Sequence, residues 1–177
     1  GPGNVFREGV TVNRGSAHGG GVTRLGARGL YMAQAHVGHD CQLGDDLVLA
    51  NGVSLAGHVI VQDGASLGGH AAVHQFARVG RLAFVAANAM VSRDVPPFCL
   101  AAGDRATLRG LNTVGLRRAG LPPEARAALK RAFRALFRTP GGRRRAAALL
   151  DDPVAEVAQL ARFVAESPRG VAAARSG

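Results

Sequence analysis

Six histidines, His18, His36, His39, His58, His70 and His74, are the side chains of this 177-residue chain best suited to proton chemistry near neutral pH. His39 is followed directly by Asp40, a carboxylate that can hold a neutral imidazole in one tautomer while its far nitrogen removes a hydroxyl proton. The competing chemistry is a metal centre, because imidazole is a common zinc ligand. Zinc needs three such groups converging at about 2.1 Å on one ion. Neither His36-x-x-His39 nor His70-x-x-x-His74 is a recognised closed-site spacing. The local spacing favours a general base and no metal.

What places these histidines is a period of six. Aliphatic or aromatic residues recur without a slip at Leu25, Tyr31, Val37, Leu43, Leu49, Leu55, Val61, Leu67, Val73, Val79, Val85 and Val91. The next residue is Gly, Ala or Ser in nine of these twelve hexads, and the residue two before is also small or apolar from Gly29 to Ala89. A six-residue period is the signature of a hexapeptide parallel β-helix, with one short strand and one corner per hexad and three hexads per triangular coil. The aliphatic points inward, the small residues are expected to let the backbone turn tightly, and coils stack at roughly 4.8 Å. The fold class is therefore a β-solenoid with a C-terminal α-helical region. Cys41 falls on an inward track and reads as a core thiol.

With eighteen residues per coil, positions equal modulo eighteen stack. His36, His39, Asp40, His58, His74 and Gln75 then share one corner on three successive coils, roughly 10 Å in all. His70 lies near the previous corner. Gly57, one coil above His39, can offer an unobstructed N–H to a developing oxyanion. The spacing from Val12 to Leu25 is thirteen, so residues 13–21, including His18, loop out of a corner. Composition leaves open whether that loop is an ordered functional element or a bland excursion. The chain opens at Gly1 in mid-hexad without an initiator Met, and the expectation is a β-helix whose N-terminal coils are missing here.

Residues 94–97, Asp-Val-Pro-Pro, are expected to stop the repeat, since adjacent prolines cannot donate to a ladder. The division is residues 1–102 for the β-helix and 103–177 for a helical domain. Helices are expected over 108–119, ended by Gly120, then from Pro122-Pro123-Glu124 through Arg138, then around 143–150 and 154–166, with a tail that frays from Pro168. Residues 1–102 carry 7 basic and 6 acidic groups, whereas 103–177 carry 15 and 6, so +9 of the net +10 lies on the helical part. An acidic protein, a phosphorylated ligand or nucleic acid would each suit that charge, but no helix-turn-helix, zinc knuckle or aromatic-interleaved RNA motif appears. No apolar run is long enough for a membrane span. Two cysteines make no disulfide scaffold, which points to a reducing compartment, the cytoplasm.

Five segments together resemble one family: Ala35-His36-Val37-Gly38-His39-Asp40-Cys41, Leu55-Ala56-Gly57-His58-Val59, Gly68-Gly69-His70-Ala71-Ala72-Val73-His74-Gln75-Phe76, Asp94-Val95-Pro96-Pro97-Phe98 and Gly110-Leu111-Asn112-x-x-Gly115-Leu116-Arg117-Arg118. They are similar to the acyl-[acyl-carrier-protein]–UDP-N-acetylglucosamine O-acyltransferases that open lipid A biosynthesis. The resemblance implies left-handed coils and transfer of a 3-hydroxyacyl group from acyl carrier protein to the sugar 3-hydroxyl of UDP-N-acetylglucosamine, without cofactor. It implies His39 as base, Asp40 as its orienter and the Gly57 N–H on the thioester carbonyl. His36, His58 and His74 would line the cleft, and Gln75, Asn112 and Arg118 would match acceptor or nucleotide contacts. Ala87 and Arg105 lie where the family sets acyl-chain length. A homotrimer with sites between subunits is implied. Val114 and Ala119 depart from the family pattern beside Arg118, which puts some diphosphate and nucleotide contacts in question. Two other readings of the scaffold are an N-acyltransferase acting on a UDP-sugar amine and a non-catalytic trimeric scaffold.

Overall fold

Each hexad contributes two residues of extended backbone and one corner. In chain order the strands are Val5–Phe6 (β1), Thr11–Val12 (β2), Arg24–Leu25 (β3), Leu30–Tyr31 (β4), His36–Val37 (β5), Gln42–Leu43 (β6), Val48–Leu49 (β7), Ser54–Leu55 (β8), Ile60–Val61 (β9), Ser66–Leu67 (β10), Ala72–Val73 (β11), Arg78–Val79 (β12), Phe84–Val85 (β13) and Met90–Val91 (β14). The computed structural model describes residues 1–174, with every side chain among them other than that of Arg143. From β1 to β11 each strand pairs in parallel with the strand three further on, which makes three flat faces. Partners are eighteen residues apart, as in His36↔Ser54, Ser54↔Ala72 and Ala72↔Met90. At the lower end the separation becomes 25, in Val5↔Leu30 and Thr11↔His36. The difference of seven is the insertion between β2 and β3, which leaves the coil and returns without disturbing its register.

The inward aliphatic from Tyr31 to Val91 is at most 5 % exposed in every hexad. Cys41 lies among these side chains, its Sγ donating to Ala56 O at 3.2 Å, and burial raises its thiol. Phe6 and Val12 stand on the same track yet are 50 % and 44 % exposed, because no described coil lies beneath them.

The small residues do not make the turns, contrary to the expectation from sequence. The left-handed residue of each corner comes three positions after the inward aliphatic: Arg28, Gln34, Asp40, Asp46, Gly52, His58, Gly64, His70, Phe76, Leu82 and Asn88, with φ between 52° and 67°. Only two of these are glycine, so the ladder holds ordinary side chains in backbone that costs about 1–2 kcal/mol each. The small residues after the aliphatics serve stacking instead. A Cβ on Gly38 would stand 2.8 Å from Ala56 C and Leu55 O of the next coil.

The prolines at 96–97 shorten a corner and do not end the coil. Val95 bridges Val79 in parallel, with its N–H on Arg78 O at 2.8 Å. Cys99–Ala102 (β15) then stacks on β13 in the register Phe84↔Leu100, sixteen residues apart. Thr107–Leu111 (β16) turns back antiparallel to β15. It takes the first part of the 108–119 segment expected to be helical, because pairing with β15 buries Leu108 and outweighs the local helical spacing. The helix proper is Thr113–Arg118 (α1), capped by Asn112 and followed by Gly120 at φ 76°. Pro123–Phe137 (α2), Gly142–Ala147 (α3) and Ala155–Ala165 (α4) lie close to the expected positions. The buried face of α2 is Ala125, Ala128, Leu129, Ala132, Phe133 and Leu136. None of the described helices is long and apolar enough to cross a membrane.

The tail does not fray over its described length. Val171 bridges Asp94 and Ala174 bridges Leu108. The last three residues of that expectation, 175–177, lie outside the described residues. The tail is fastened at Asp94, which is fully buried. Its Oδ1 accepts the Arg78 N–H, and its Oδ2 accepts Arg78 Nε and Ser167 Oγ, all within 2.8–2.9 Å. The Arg78 guanidinium lies 4.3 Å from the centroid of the Phe163 ring of α4. Breaking this buried pair leaves an uncompensated charge, so Asp94→Ala is expected to cost about 3–5 kcal/mol in denaturant unfolding. Hydrogen exchange should rise first in α4 and residues 168–174, and a uniform rise across the solenoid would contradict the clamp.

Candidate functional site

The register makes every outward position a column. Along the corner after β5, β8 and β11, one column is His39, Gly57 and Gln75, and its neighbour is Asp40, His58 and Phe76. His39 Nδ1 lies 2.7 Å from Asp40 Oδ2. An ionised Asp40 only accepts, so Nδ1 carries the hydrogen and Nε2 the lone pair. The His39 side chain is 48 % exposed while that of Asp40 is fully covered. The imidazole is thus open to solvent and the carboxylate that holds it is not.

Gly57 explains how the ring fits. A Cβ there would stand 2.6 Å from both Cε1 and Nε2 of His39. Gly57 is itself buried, and among the described residues its N–H donates to no carbonyl or side chain. The corresponding N–H groups on another corner are used: Ala27 donates to Asp45 and Asp45 to Asp63, each at 2.8 Å. A free N–H beside a base is an arrangement able to meet developing negative charge.

The insertion is an ordered part of the site. Ser16 N–H reaches both Asp40 oxygens at 3.0 Å, and Ser16 Oγ donates to Oδ2 at 2.7 Å. Asp40 N–H donates to Thr23 Oγ1 at 2.8 Å. A side chain on Gly19 would collide with the Asp40 carboxylate. The hydrogen bond from His39, then that from Ser16, hold the Asp40 carboxyl at about 2, below its ordinary 3.8. Sequence reading missed Ser16 and Thr23. Thr23 carried a signal, being the polar member of a track otherwise made of Gly, Ala, Cys, Leu and Val.

His58 Nε2 lies 3.9 Å from Asp40 Oδ2, and its ring meets that of His39 edge-on at 5.1 Å. Its other face stacks on Phe76 at 4.5 Å. Phe76, also missed, is a 51 % exposed aromatic in a left-handed corner. His36 accepts or donates at Thr11 Oγ1, 2.8 Å from its Nδ1. His74 and Gln75 are exposed on the coil above. His39, Asp40 and His58 offer ligand atoms within 4.8 Å of one another. A metal bridging them would have to displace the hydrogen bonds that His39 and Ser16 make to Asp40, so the donor set fits an acid–base site better.

The remaining predicted residues are elsewhere. Asn112 and Arg118 line a cleft of about 550 Å³ with Asp46, Gly64 and Val114, on a different corner of the prism. Both ends of the Asn112 amide are engaged there, with Leu82 O at 3.0 Å and Gly115 N–H at 3.1 Å. Ala119 lines the same cleft. Ala87 is exposed at the corner before β14, and Arg105 is exposed in the turn that pairs with Met90. His70 occupies the corner above Gly52, and His18 is exposed in the insertion; neither joins the His39 group.

Comparison with known proteins gives one answer. The family described as "Udp N-acetylglucosamine O-acyltransferase; Domain 2" matches residues 94–172. An acyl-[acyl-carrier-protein]–UDP-N-acetylglucosamine O-acyltransferase of Anaeromyxobacter dehalogenans is 48 % identical over 171 residues, 95 % of this chain and 66 % of the relative. The enzyme of the same name from Syntrophobacter fumaroxidans is 50 % identical over 172 residues, 95 % of this chain and 67 % of the relative. Among solved structures, the UDP-N-acetylglucosamine acyltransferase of Campylobacter jejuni superposes with a TM-score of 0.95 at 39 % identity, covering 98 % of this chain and 69 % of that one. The chain thus spans about two thirds of the length of the relatives it matches. The shared fold is the left-handed parallel β-helix.

The acid limb of stability follows from Asp40. A carboxyl depressed in the folded state contributes stability that is fully present above its unfolded value of 3.8 and lost as pH falls through about 2. Ser16→Ala removes the Oγ hydrogen bond and leaves the backbone N–H contact, and should move the Asp40 titration upward, read by carboxyl ¹³C NMR. An unmoved titration would show that the insertion does not set this charge.

Proposed function

The chain belongs to the acyl-[acyl-carrier-protein]–UDP-N-acetylglucosamine O-acyltransferase family, and from that premise we propose that it carries the catalytic corner of such an enzyme. The reaction is transfer of a 3-hydroxyacyl group from acyl carrier protein to the 3-hydroxyl of UDP-N-acetylglucosamine, the first step of lipid A biosynthesis, in the cytoplasm. The observation that carries this reading is a half-exposed His39 imidazole, backed by a buried carboxylate and flanked by the uncommitted N–H of Gly57.

His39 Nε2 takes the proton of the sugar hydroxyl as its oxygen attacks the thioester carbonyl. Gly57 N–H donates to the tetrahedral oxyanion. Asp40 holds the ring and offsets the imidazolium charge that forms. When the intermediate collapses the C–S bond breaks, and His39 returns the proton to the departing carrier thiol. Each step uses groups of this chain and substrate, with no cofactor. His36, His58, His74 and Gln75 surround the acceptor. Ala87 and Arg105 bound the far end of the acyl chain.

Residues 1–102 then act as the catalytic β-helix and 103–177 as the unit that receives the carrier protein. A cleft of about 590 Å³ between β16, α1 and α2 has Arg109, Arg126, Lys130, Arg134 and Arg138 on its walls and no acidic residue. That charge suits an acidic carrier steered by electrostatics. Asn112 and Arg118 sit on another corner than His39 within one chain, which supports a homotrimer whose adjacent subunits face these corners to each other. With Val114 and Ala119 beside it, Arg118 is the principal cation for the nucleotide diphosphate.

In the full-length protein His39→Ala should lower acyl transfer by roughly 10²–10⁴ while the trimer stays folded. Near-parental turnover would remove His39 as the base, and transfer to an amine acceptor instead of the hydroxyl would reassign the substrate. Arg118→Ala should raise KM for the nucleotide sugar about tenfold or more with a smaller change in kcat, checked by steady-state kinetics; an unchanged KM would remove Arg118 from nucleotide binding.

A further inference from the structure

The described tail does more than close the fold. Asp94 N–H donates to Gly170 O at 3.2 Å and Ala172 N–H to Asp94 O at 2.8 Å, which fixes the backbone on either side of Val171. Arg169, immediately before, is half-buried. Its Nη2 donates to Ser92 O at 3.2 Å and lies 3.4 Å from Nδ1 of His74, 95 residues away in sequence. The same Nδ1 lies 3.1 Å from the backbone carbonyl of Gln75.

These two neighbours make opposite demands on one nitrogen. The Gln75 carbonyl can only accept, so it calls for a hydrogen on Nδ1. A guanidinium can only donate, so it calls for the lone pair there. A hydrogen on Nδ1 would also point its positive end at a cation that Ser92 O and the zipped backbone keep in place. We infer that Arg169 is a positioning residue for His74, holding it as the Nε2–H tautomer so that the exposed ring offers a hydrogen-bond donor, not an acceptor, at Nε2. This rests on the acyltransferase reading in one respect: the donor is meant for an oxygen of the acceptor substrate. Without Arg169 the imidazole relaxes to the Nδ1–H tautomer on Gln75 O, and Nε2 turns a lone pair toward that oxygen.

The direct test is ¹⁵N imidazole NMR of the full-length protein at roughly pH 8, where an ordinary histidine is neutral. His74 should be the Nε2–H tautomer in the parent and in Arg169→Lys, which keeps a donor-only cation, and the Nδ1–H tautomer in Arg169→Met. The same tautomer in the parent and Arg169→Met, with unchanged circular dichroism, would overturn the proposal. If Arg169→Met does not fold, an Nδ1–H tautomer in the parent alone overturns it. Kinetics supply the second arm. Arg169→Met should raise KM for UDP-N-acetylglucosamine about tenfold and leave kcat within a factor of about three. His74→Gln supplies an amide donor of its own, so adding Arg169→Met to it should change KM little. A full additional loss in the double variant would make Arg169 merely structural. A parent that moves no acyl group would defeat the acyltransferase reading and leave the tautomer measurement to decide the role of Arg169.

Discussion

The parallel ladder fixes the register of this molecule, and nearly everything else follows from that register. Strands pair at a separation of eighteen residues, so each position lies over its counterpart at the sheet spacing of roughly 4.8 Å. That distance is less than the width of most side chains, and so each column is selected as a unit. Inward columns are filled by Val and Leu, because they must tile a narrow interior without polar groups. Outward columns pair through charge or hydrogen bonds between coils, as where Arg28 Nε donates to Asp46 Oδ1 at 2.7 Å and Asp45 N–H to Asp63 at 2.8 Å. Where neither filling nor pairing is possible, the position becomes glycine, as at Gly38 and Gly57.

The candidate site is such a column with one rule relaxed. His39 lies flat over the next coil because Gly57 has no side chain, and the space that removes an obstacle also exposes a backbone N–H. The open imidazole and the uncommitted N–H, to which the proposed function gives the roles of base and oxyanion donor, therefore arise from one substitution pattern and not from two separate devices. Asp40 needs more support, since a covered carboxylate without donors would take up a proton and cease to orient the ring. Apart from His39, the side-chain and backbone donors that meet its carboxylate lie outside the repeat. The insertion supplies them through Ser16, and it does so at no cost to register, because its seven extra residues leave and rejoin at the same corner.

This division explains what could be read from the sequence. The inward track, the histidine corner and the place of Gly57 were legible because a strict period converts spacing into position. The turns were misassigned because glycine content suggests flexibility, whereas here the left-handed residues are mostly Asp, His, Phe and other ordinary side chains held by the ladder. Ser16 escaped because it sits in the stretch where the period lapses, so nothing in the spacing ties it to Asp40. β16 escaped because strand pairing with β15 is a tertiary fact, and the local apolar spacing from Leu108 suits a helix as well as a strand. The tail escaped for the same reason: the partners of residues 170–174 are Asp94 and Leu108, more than sixty residues upstream.

Those distant pairings bear on why the helical region is attached at all. A solenoid coil needs a cap, because its last ladder would otherwise present unpaired backbone groups. β15, β16 and the returning tail provide that cap, and Asp94 locks it by gathering Arg78 from the coil below and Ser167 from the end of α4. The lock lies only two residues from Ser92, whose carbonyl takes the Arg169 guanidinium beside His74. A side chain delivered to the histidine corner by the last few residues is therefore a direct consequence of where the cap has to fasten. Basic side chains of the described helical region, among them Arg109, Arg126 and Lys130, are gathered on the cleft beside β16, the strand with which the tail pairs. Capping, charge placement and completion of the histidine corner are thus one structural solution, which is why the helices cannot be read as an appendage to a self-sufficient β-helix.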